Sequence, residues 1–378
     1  MTADRRKGFA GRLIAALALA VTPVQAADTI TLGGQTFARD AETVDLAGAN
    51  LPGPVDLAPL SRLTRVKTIY LNDLAVANLT PLAGLATLED LDISDTQVGD
   101  LAPLKGLTDL KVLRATRTPV EDLSPLAGLT ELELLDMAEA PVRDLAPLAA
   151  LTRLRDLRIS DAPIADITPL KGMTGLRKLD LVRTQVRDLP ALAGMTALEK
   201  VSLQQSPVRD LSPLATARGL KWLNASYTQV QDIAPLTGLA ALERLELTGT
   251  HVADIAPLGS MTGMVNLEIS FTDVADIAPL AGLKGLRVLG LGRTEVRDIS
   301  PLRGLPLLRM VSLTGAPVSD LSPLRSLPAL EELAVGQPLS KEKYRALDPV
   351  PVTDLGLDWT RYRGRAEVER FLAGAAGR

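Results

Sequence analysis

One pentapeptide, Asp-Leu-x-Pro-Leu, returns along the chain every 22 residues. Asp100-Leu101-Ala102-Pro103-Leu104 recurs at Asp122 to Leu126, Asp144 to Leu148, Asp166 to Leu170 and onward to Asp320 to Leu324. Counted from Asp56 there are 13 copies, with no insertion between them. The final Leu is kept in all 13; the Asp is kept in 12, Asn78 being the exception; the Pro shifts once, one residue early, to Pro190. A fixed period of this kind excludes ordinary globular packing. No single unit can bury its own leucines, so the units must stack, and the core lengthens with each unit added. The 378 residues therefore need not divide into two or three globular domains.

One unit, from Leu88 to Leu107, shows what each position does. Leu91 and Ile93 flank one polar residue, the alternation of a half-buried strand. Val98 belongs to a column that is Val or Ile from residue 76 to residue 318. Asp100 is expected to cap a short helical turn, because a carboxylate accepts from free backbone N–H groups. Pro103 falls in the first turn, where a missing N–H costs nothing. Gly106 is expected to permit the turn into the next strand. Each unit is thus strand, turn, short 3₁₀ or α turn, turn. Stacked, the units make a parallel sheet on one side and a row of helical turns on the other, with 13 coils spanning roughly 60 Å.

Composition narrows the function. Apolar residues make up 46% of the chain and aromatics only 3%, so the core must be aliphatic. Without cysteine there is no disulfide scaffold, thiolate metal site or cysteine nucleophile. The N-terminus reads as a cleavable signal peptide. Arg5, Arg6 and Lys7 precede a short apolar run from Leu13 to Val21, and small residues precede a cut expected after Ala26. The run is well short of the roughly 20 residues that span a bilayer, and no cysteine follows it to carry a lipid. Removing its four basic residues and one acid from the 41 basic and 45 acidic leaves 37 and 44, net −7. That balance argues against nucleic acid and provides no polybasic membrane patch. A periplasmic or secreted location is expected.

The consensus LxxLxxLxLxxTxVxDLxPLxG resembles the 22-residue leucine-rich repeats of bacterial internalins, and is similar to those of the leucine-rich regulatory subunit of type-1 phosphatase. The resemblance covers roughly residues 41–336. It implies an α/β solenoid: a right-handed superhelix with a concave parallel β-sheet and short 3₁₀/α turns on the convex side. Such repeats usually carry Asn where this chain has Thr96, Thr118, Thr184, Ser206, Thr228, Thr250, Thr272 and Thr294, with Ala140, Ala162 and Ala316 elsewhere. Hydroxyls can replace part of an Asn ladder, but the Ala coils must satisfy their backbone another way. Internalins also continue into an immunoglobulin-like domain and often a wall-sorting signal. Here 42 residues follow Gly336 with no sorting motif, so anchoring and host invasion do not carry over.

The domain reading is a signal peptide at 1–26, an N-terminal cap and irregular first coil at 27–55, the solenoid at 56–336 and a C-terminal cap at 337–378. Ile30 to Phe37 reads as a hairpin around Gly33-Gly34, and three extra residues lie around Pro52-Gly53-Pro54. In the C-terminal part, Ser340 to Leu347 suits a helix, Leu355, Leu357 and Trp359 alternate like a strand, and Arg365 to Ala373 places Val368, Phe371 and Leu372 on one helical face.

Catalysis has little support. His251 is the sole histidine and falls in a turn column with Gln, Pro, Asp and Glu; no hydrolase, nucleotide-binding or zinc motif is present. The Asp column lacks the Gly-rich nonapeptide of calcium β-rolls. No enzyme, cofactor or metal is therefore expected. Function is expected at variable positions of the concave face. One such column reads Tyr70, Asp92, Arg114, Asp136, Arg158, Asp180, with signs alternating on adjacent strands. It is a self-neutralising ladder or a charged binding track. Between Asp56 and Gly336 the only aromatics are Tyr70, Trp222, Tyr227 and Phe271, none in a core column. Tyr227 and Phe271 share a column with Gly249 between them, which predicts a notch about 10 Å across. Asn224, Arg244, Glu246, Asn266 and Glu268 surround them, and aromatics with Arg dominate binding hot spots. The expected ligand is a protein, with a glycan or cell wall as the alternative and a structural spacer as the third reading.

Overall fold

The computed structural model describes residues 28–49, 51, 53–336 and 359–375. The signal peptide, the helix expected at Ser340 to Leu347, and Leu355 and Leu357 of the expected strand lie outside these residues. A hairpin of β1 (Thr29–Leu32) and β2 (Gln35–Ala38) opens the described chain. Its turn residues Gly33 and Gly34 have φ of 56° and 78°, the left-handed pair that only glycine adopts freely, as the sequence predicted.

A single sheet then runs the length of the molecule. Its first strands are β3 (Thr43–Asp45), β4 (Thr68–Tyr70), β5 (Asp90–Asp92), β6 (Val112–Arg114), β7 (Leu134–Asp136), β8 (Asp156–Arg158) and β9 (Lys178–Asp180). They continue as β10 (Lys200–Ser202), β11 (Trp222–Asn224), β12 (Arg244–Glu246), β13 (Asn266–Glu268), β14 (Val288–Gly290), β15 (Met310–Ser312) and β16 (Glu332–Gly336). All are parallel to their neighbours, and a fifteenth strand, β17 (Trp359–Arg363), pairs antiparallel with β16.

The register explains the period. Leu91 lies beside Leu113, Leu113 beside Leu135, and so on through Leu333, with no slip. A one-residue slip would turn every central strand residue to solvent, so burial enforces the register. These central residues, Ile69 through Leu333, are at most 2% exposed. Val44 pairs with Ile69, 25 residues away, because the first coil holds the three extra residues.

Short 3₁₀ turns carry the Pro-Leu pairs on the opposite side, as in Ala102–Leu104 and Ser124–Leu126. Their Asp residues sit one place earlier than a helix cap. Leu101 occupies the cap position, and Asp100 Oδ1 accepts from the N–H of Ala102 at 2.8 Å, closing a side-chain turn ahead of it. Asp188 lacks this bond because Pro190, two residues on, has no N–H to donate. Asn78 makes it, donated by Thr80 N at 2.9 Å, so the role needs an acceptor and not a charge. Gly106 lies in the turn expected of it without a left-handed φ, whereas Gly194, Gly238 and Gly304 in the same kind of turn have φ of 85°, 83° and 81°.

The Thr column behaves as the sequence suggested. Thr96 Oγ1 donates to the Ile93 carbonyl at 2.7 Å, and Thr118, Thr184 and Thr250 repeat the bond. Where Ala replaces Thr, only the backbone bond remains, from Ala140 N to Met137 O at 3.1 Å and from Ala316 N to Leu313 O at 3.0 Å; Thr184 and Thr250 make that bond as well as the hydroxyl one. Both ends of the core are covered. Ile30 and Leu32 pack onto the first coil, and Val368 and Leu372 of α1 (Arg365–Ala375) onto the last. Tyr362 of β17 stacks on Phe371 at 4.2 Å between ring centres. Among the described residues, no helix is long and apolar enough to cross a membrane.

Candidate functional site on the concave face

In each short strand the middle residue points into the core, so the first and third stand on the concave face. Two further positions extend this face. The fifth residue counted from the strand's first, Ser94 or Ser270 for example, precedes a residue in the left-handed conformation. That next column reads Asp73, Asp95, Arg117, Glu139, Asp161, Arg183, Gln205, Tyr227, Gly249, Phe271, Arg293 and Gly315, every φ between 52° and 75°. The backbone N–H groups of this column still bond the neighbouring coil, as from Asp95 to Thr116 O and Tyr227 to Thr248 O, which holds the conformation.

From β4 to β9 the face is charged and internally satisfied. Arg114 reaches Asp90 at 2.9 Å, and the Tyr70 hydroxyl donates to the same carboxylate at 3.4 Å. Arg158 bridges Asp136 at 3.3 Å and Asp156 at 3.0 Å, while Lys178 reaches Asp156 at 3.2 Å. The expected pairing along one column holds for Arg158 with Asp136, register neighbours on β8 and β7, while Arg114 with Asp90 and Arg158 with Asp156 add contacts across to the other column. Asp92 and Asp180 instead accept from the backbone N–H of Ser94 and Val182. Burial pushes the Asp180 carboxyl above the usual range, and burial followed by the Asp90 charge raises the Tyr70 phenol. A second ladder runs through the left-handed column, where Arg117 pairs with Asp95 at 2.5 Å and Glu139 at 3.4 Å, and Arg183 pairs with Asp161.

From β10 to β15 the face changes. The register sets Trp222 beside Arg244 and Arg244 beside Asn266, with Asn224, Glu246 and Glu268 in the parallel column. Glu246 Oε1 accepts from Trp222 Nε1 at 3.1 Å and from Arg244 Nε at 2.5 Å. Asn224, 6% exposed, accepts from Ser226 N at 2.9 Å and donates to Gln204 at 3.2 Å. Glu268 takes hydrogen bonds from the Ser270 hydroxyl and N–H, both on Oε1. Burial raises its carboxyl above the ordinary range against those two bonds. The eight expected residues thus form one contiguous patch on β11–β13 and the turns after them.

The expected notch at Gly249 is absent. The Tyr227 ring lies across that glycine, and a Cβ there would fall 2.6 Å from ring atom Cδ1. The same device occurs twice more: Glu268 lies over Gly290, and Arg293 lies over Gly315, where a Cβ would fall 2.9 Å from Arg293 Cγ. Arg293, missed in the sequence, also stacks its guanidinium on Phe271 at 4.5 Å. A large residue followed 22 places later by glycine was the available signal. The result is a low, level surface, with Tyr227 38% exposed upon it. The Tyr227 phenol is raised by burial and then by Glu268, whose charge is close enough to act on it. His251 is not part of this patch; its side chain is 71% exposed, 3.4 Å from Asp273.

No protein-family model matches the chain, and no curated protein sequence matches it. Solved structures do. An internalin, InlF, from Listeria monocytogenes is 25% identical, with a TM-score of 0.75 over 82% of this chain and 91% of that one. A leucine-rich-repeat protein of Leptospira interrogans is 16% identical, with a TM-score of 0.71 over 78% and 79% of the two chains. The plant peptide hormone receptor RGFR1, in complex with RGF2, shares the fold at 14% identity, with a TM-score of 0.60 over 80% of this chain and 56% of that one. The 22-residue register, the unbroken parallel sheet with its 3₁₀ turns and the similarity to InlF together make this chain an internalin-like leucine-rich-repeat protein.

Proposed function

We propose that this protein is an exported bacterial binding module that recognises a partner protein through the concave face of β11–β13. The observation that carries this reading is the contrast in how side chains are used. Charges from β4 to β9 are consumed in internal pairs. The patch from β11 to β13 instead presents Trp222, Tyr227 and Phe271 where smaller residues would fold more easily. Tyr227 and Phe271 hold φ of 57° and 58°, a conformation that disfavours bulky side chains. The same φ holds along the whole column, Arg117 and Glu139 included, so the conformation belongs to the fold; what distinguishes the patch is that rings occupy it. Export follows from the leader expected at 1–26. The plant receptor of the same fold, in complex with RGF2, supports a proteinaceous ligand.

A protein is favoured over a glycan because one face of Phe271 is covered by Arg293 and Trp222 Nε1 is engaged by Glu246. A sugar ring stacks on an open aromatic face. The carboxylate nearest Glu268 along its column, Glu246, is occupied by Arg244 and Trp222, so the patch offers contact surface more readily than a free pair of carboxylates. The test is crosslinking in intact cells followed by affinity recovery with the parent chain and with Trp222→Ala and Phe271→Ala. Loss of one crosslinked protein with both variants supports the reading. Unchanged recovery removes the site, and recovery of peptidoglycan instead of protein favours the glycan alternative.

A further inference from the structure

Beyond the aromatic patch, the concave face ends in a groove of about 630 Å³ where the last coils meet the C-terminal cap. Arg287 and Arg309 precede β14 and β15 on one wall; Arg363 and Arg365 come from the end of β17 and the start of α1. The acids in the lining are Glu331 and Glu332, two carboxylates against four guanidinium groups. Arg309 Nε holds Glu331 at 3.1 Å. Glu332 is shared, pairing with Arg361 and lying 3.6 Å from Arg363. Arg365 is tied to the Pro328 carbonyl and, at 2.8 Å, to Glu369. Arg287 makes no ion pair among the described residues, and the Arg363 side chain is 72% exposed. The groove is thus locally cationic in a chain whose formal charge is −4.

Its floor is not polar. Val288 and Met310 line it, following Trp222, Arg244 and Asn266 in the same strand-start column. Asn266 belongs to both the groove and the aromatic patch, so the two are continuous. Free phosphate would be served by the arginines alone, whereas an extended segment with carboxylates beside apolar side chains also uses the floor. Paired guanidinium groups suit carboxylates through their fixed, forked geometry.

We propose that this groove binds an acidic, extended peptide segment of a partner protein, with Arg287 and Arg363 taking its carboxylates and Val288 and Met310 its apolar side chains. This extends the concave-face reading but is tested without it. The probe is a fluorescein-labelled peptide of alternating glutamate and leucine, read by anisotropy against its lysine–leucine counterpart. The glutamate peptide should bind and the lysine peptide should not, and binding should weaken as salt shortens the screening length. Arg287→Gln with Arg363→Gln should weaken it roughly tenfold or more, while the circular dichroism melt stays unchanged because both side chains are exposed. Trp222→Ala with Phe271→Ala should leave peptide affinity intact, which separates failure here from failure of the aromatic patch. Wild-type affinity in the double arginine variant would overturn the proposal. So would displacement by inorganic phosphate at matched ionic strength, or loss of binding in the double aromatic variant.

Discussion

Between β4 and β9 the concave face carries Asp90, Arg114, Asp136, Asp156, Arg158 and Lys178, and each cation reaches a carboxylate on the same or an adjacent strand. Between β10 and β15 the same positions hold Ser202, Trp222, Asn224, Glu246, Glu268 and Gly290, and Glu268 pairs with no cation among the described ion pairs. The two stretches share one core and one register. What differs is whether the face satisfies itself. A closed ladder has little left to offer a partner; a level surface of rings, glycines and one half-buried carboxylate does. The comparison teaches that in a solenoid the fold repeats while the solvent face can be specialised coil by coil.

The largest effect should show no difference between the halves. Leu157→Ala and Leu245→Ala both remove a fully buried side chain, and each should cost about 2 to 5 kcal/mol in denaturant unfolding. A clear inequality would mean that the core, and not only the face, differs. Next in size, Arg158→Ala leaves Asp136 and Asp156, 8% and 6% exposed, without their shared cation. It should destabilise by about 1 to 3 kcal/mol, toward the lower end because the Arg158 side chain is itself 41% exposed. The counterpart Arg244→Ala, with a side chain 56% exposed, should change stability by less than about 1 kcal/mol.

Smaller, and of opposite sign, is the effect expected at the left-handed turns. Tyr227→Asn and Phe271→Asn replace strained rings by a residue that tolerates positive φ. Each should hold or raise stability, by up to about 1 kcal/mol, while partner recovery falls. A drop in the melting temperature would show that the rings serve packing. At Arg117 the same change should destabilise, because it breaks the pairs with Asp95 and Glu139.

The smallest effects are pH-dependent and oppose one another. Burial raises the Glu268 carboxyl, so the folded chain holds that proton more tightly than the unfolded one. Its stabilising contribution is complete below the unfolded carboxyl range and declines as pH rises through the higher folded value. Glu268→Gln should therefore be more stable than the parent at neutral pH and equal to it in acid. At Asp298 the Ser300 N–H and hydroxyl bonds lower the carboxyl, so its contribution is present above the unfolded range and lost as pH falls through the folded value. Asp298→Asn should flatten that acid-side loss while keeping the backbone bond, as Asn78 does. Chemical denaturation across pH checks both.

The sequence by itself determined the period, the parallel register, a short 3₁₀ or α turn in each unit, the hairpin at Gly33-Gly34 and a helix beginning at Arg365. These follow from hydrophobic spacing and turn chemistry, which are local and repeat identically in every coil. It also placed the eight patch residues on one face, because a strict period converts residue number into position. Only the tertiary structure decided what the side chains do there. The direction in which Tyr227, Glu268 and Arg293 lie depends on the room left by glycines one coil away, and this closed the notch expected at Gly249. The charged column widened into a two-column network because Arg158 reaches both Asp136, its neighbour in that column, and Asp156 in the column beside it. The cationic groove needed a strand from beyond the repeats to fold back antiparallel against β16. Period fixes where a backbone goes; the packing of unlike neighbours in space fixes what that backbone presents.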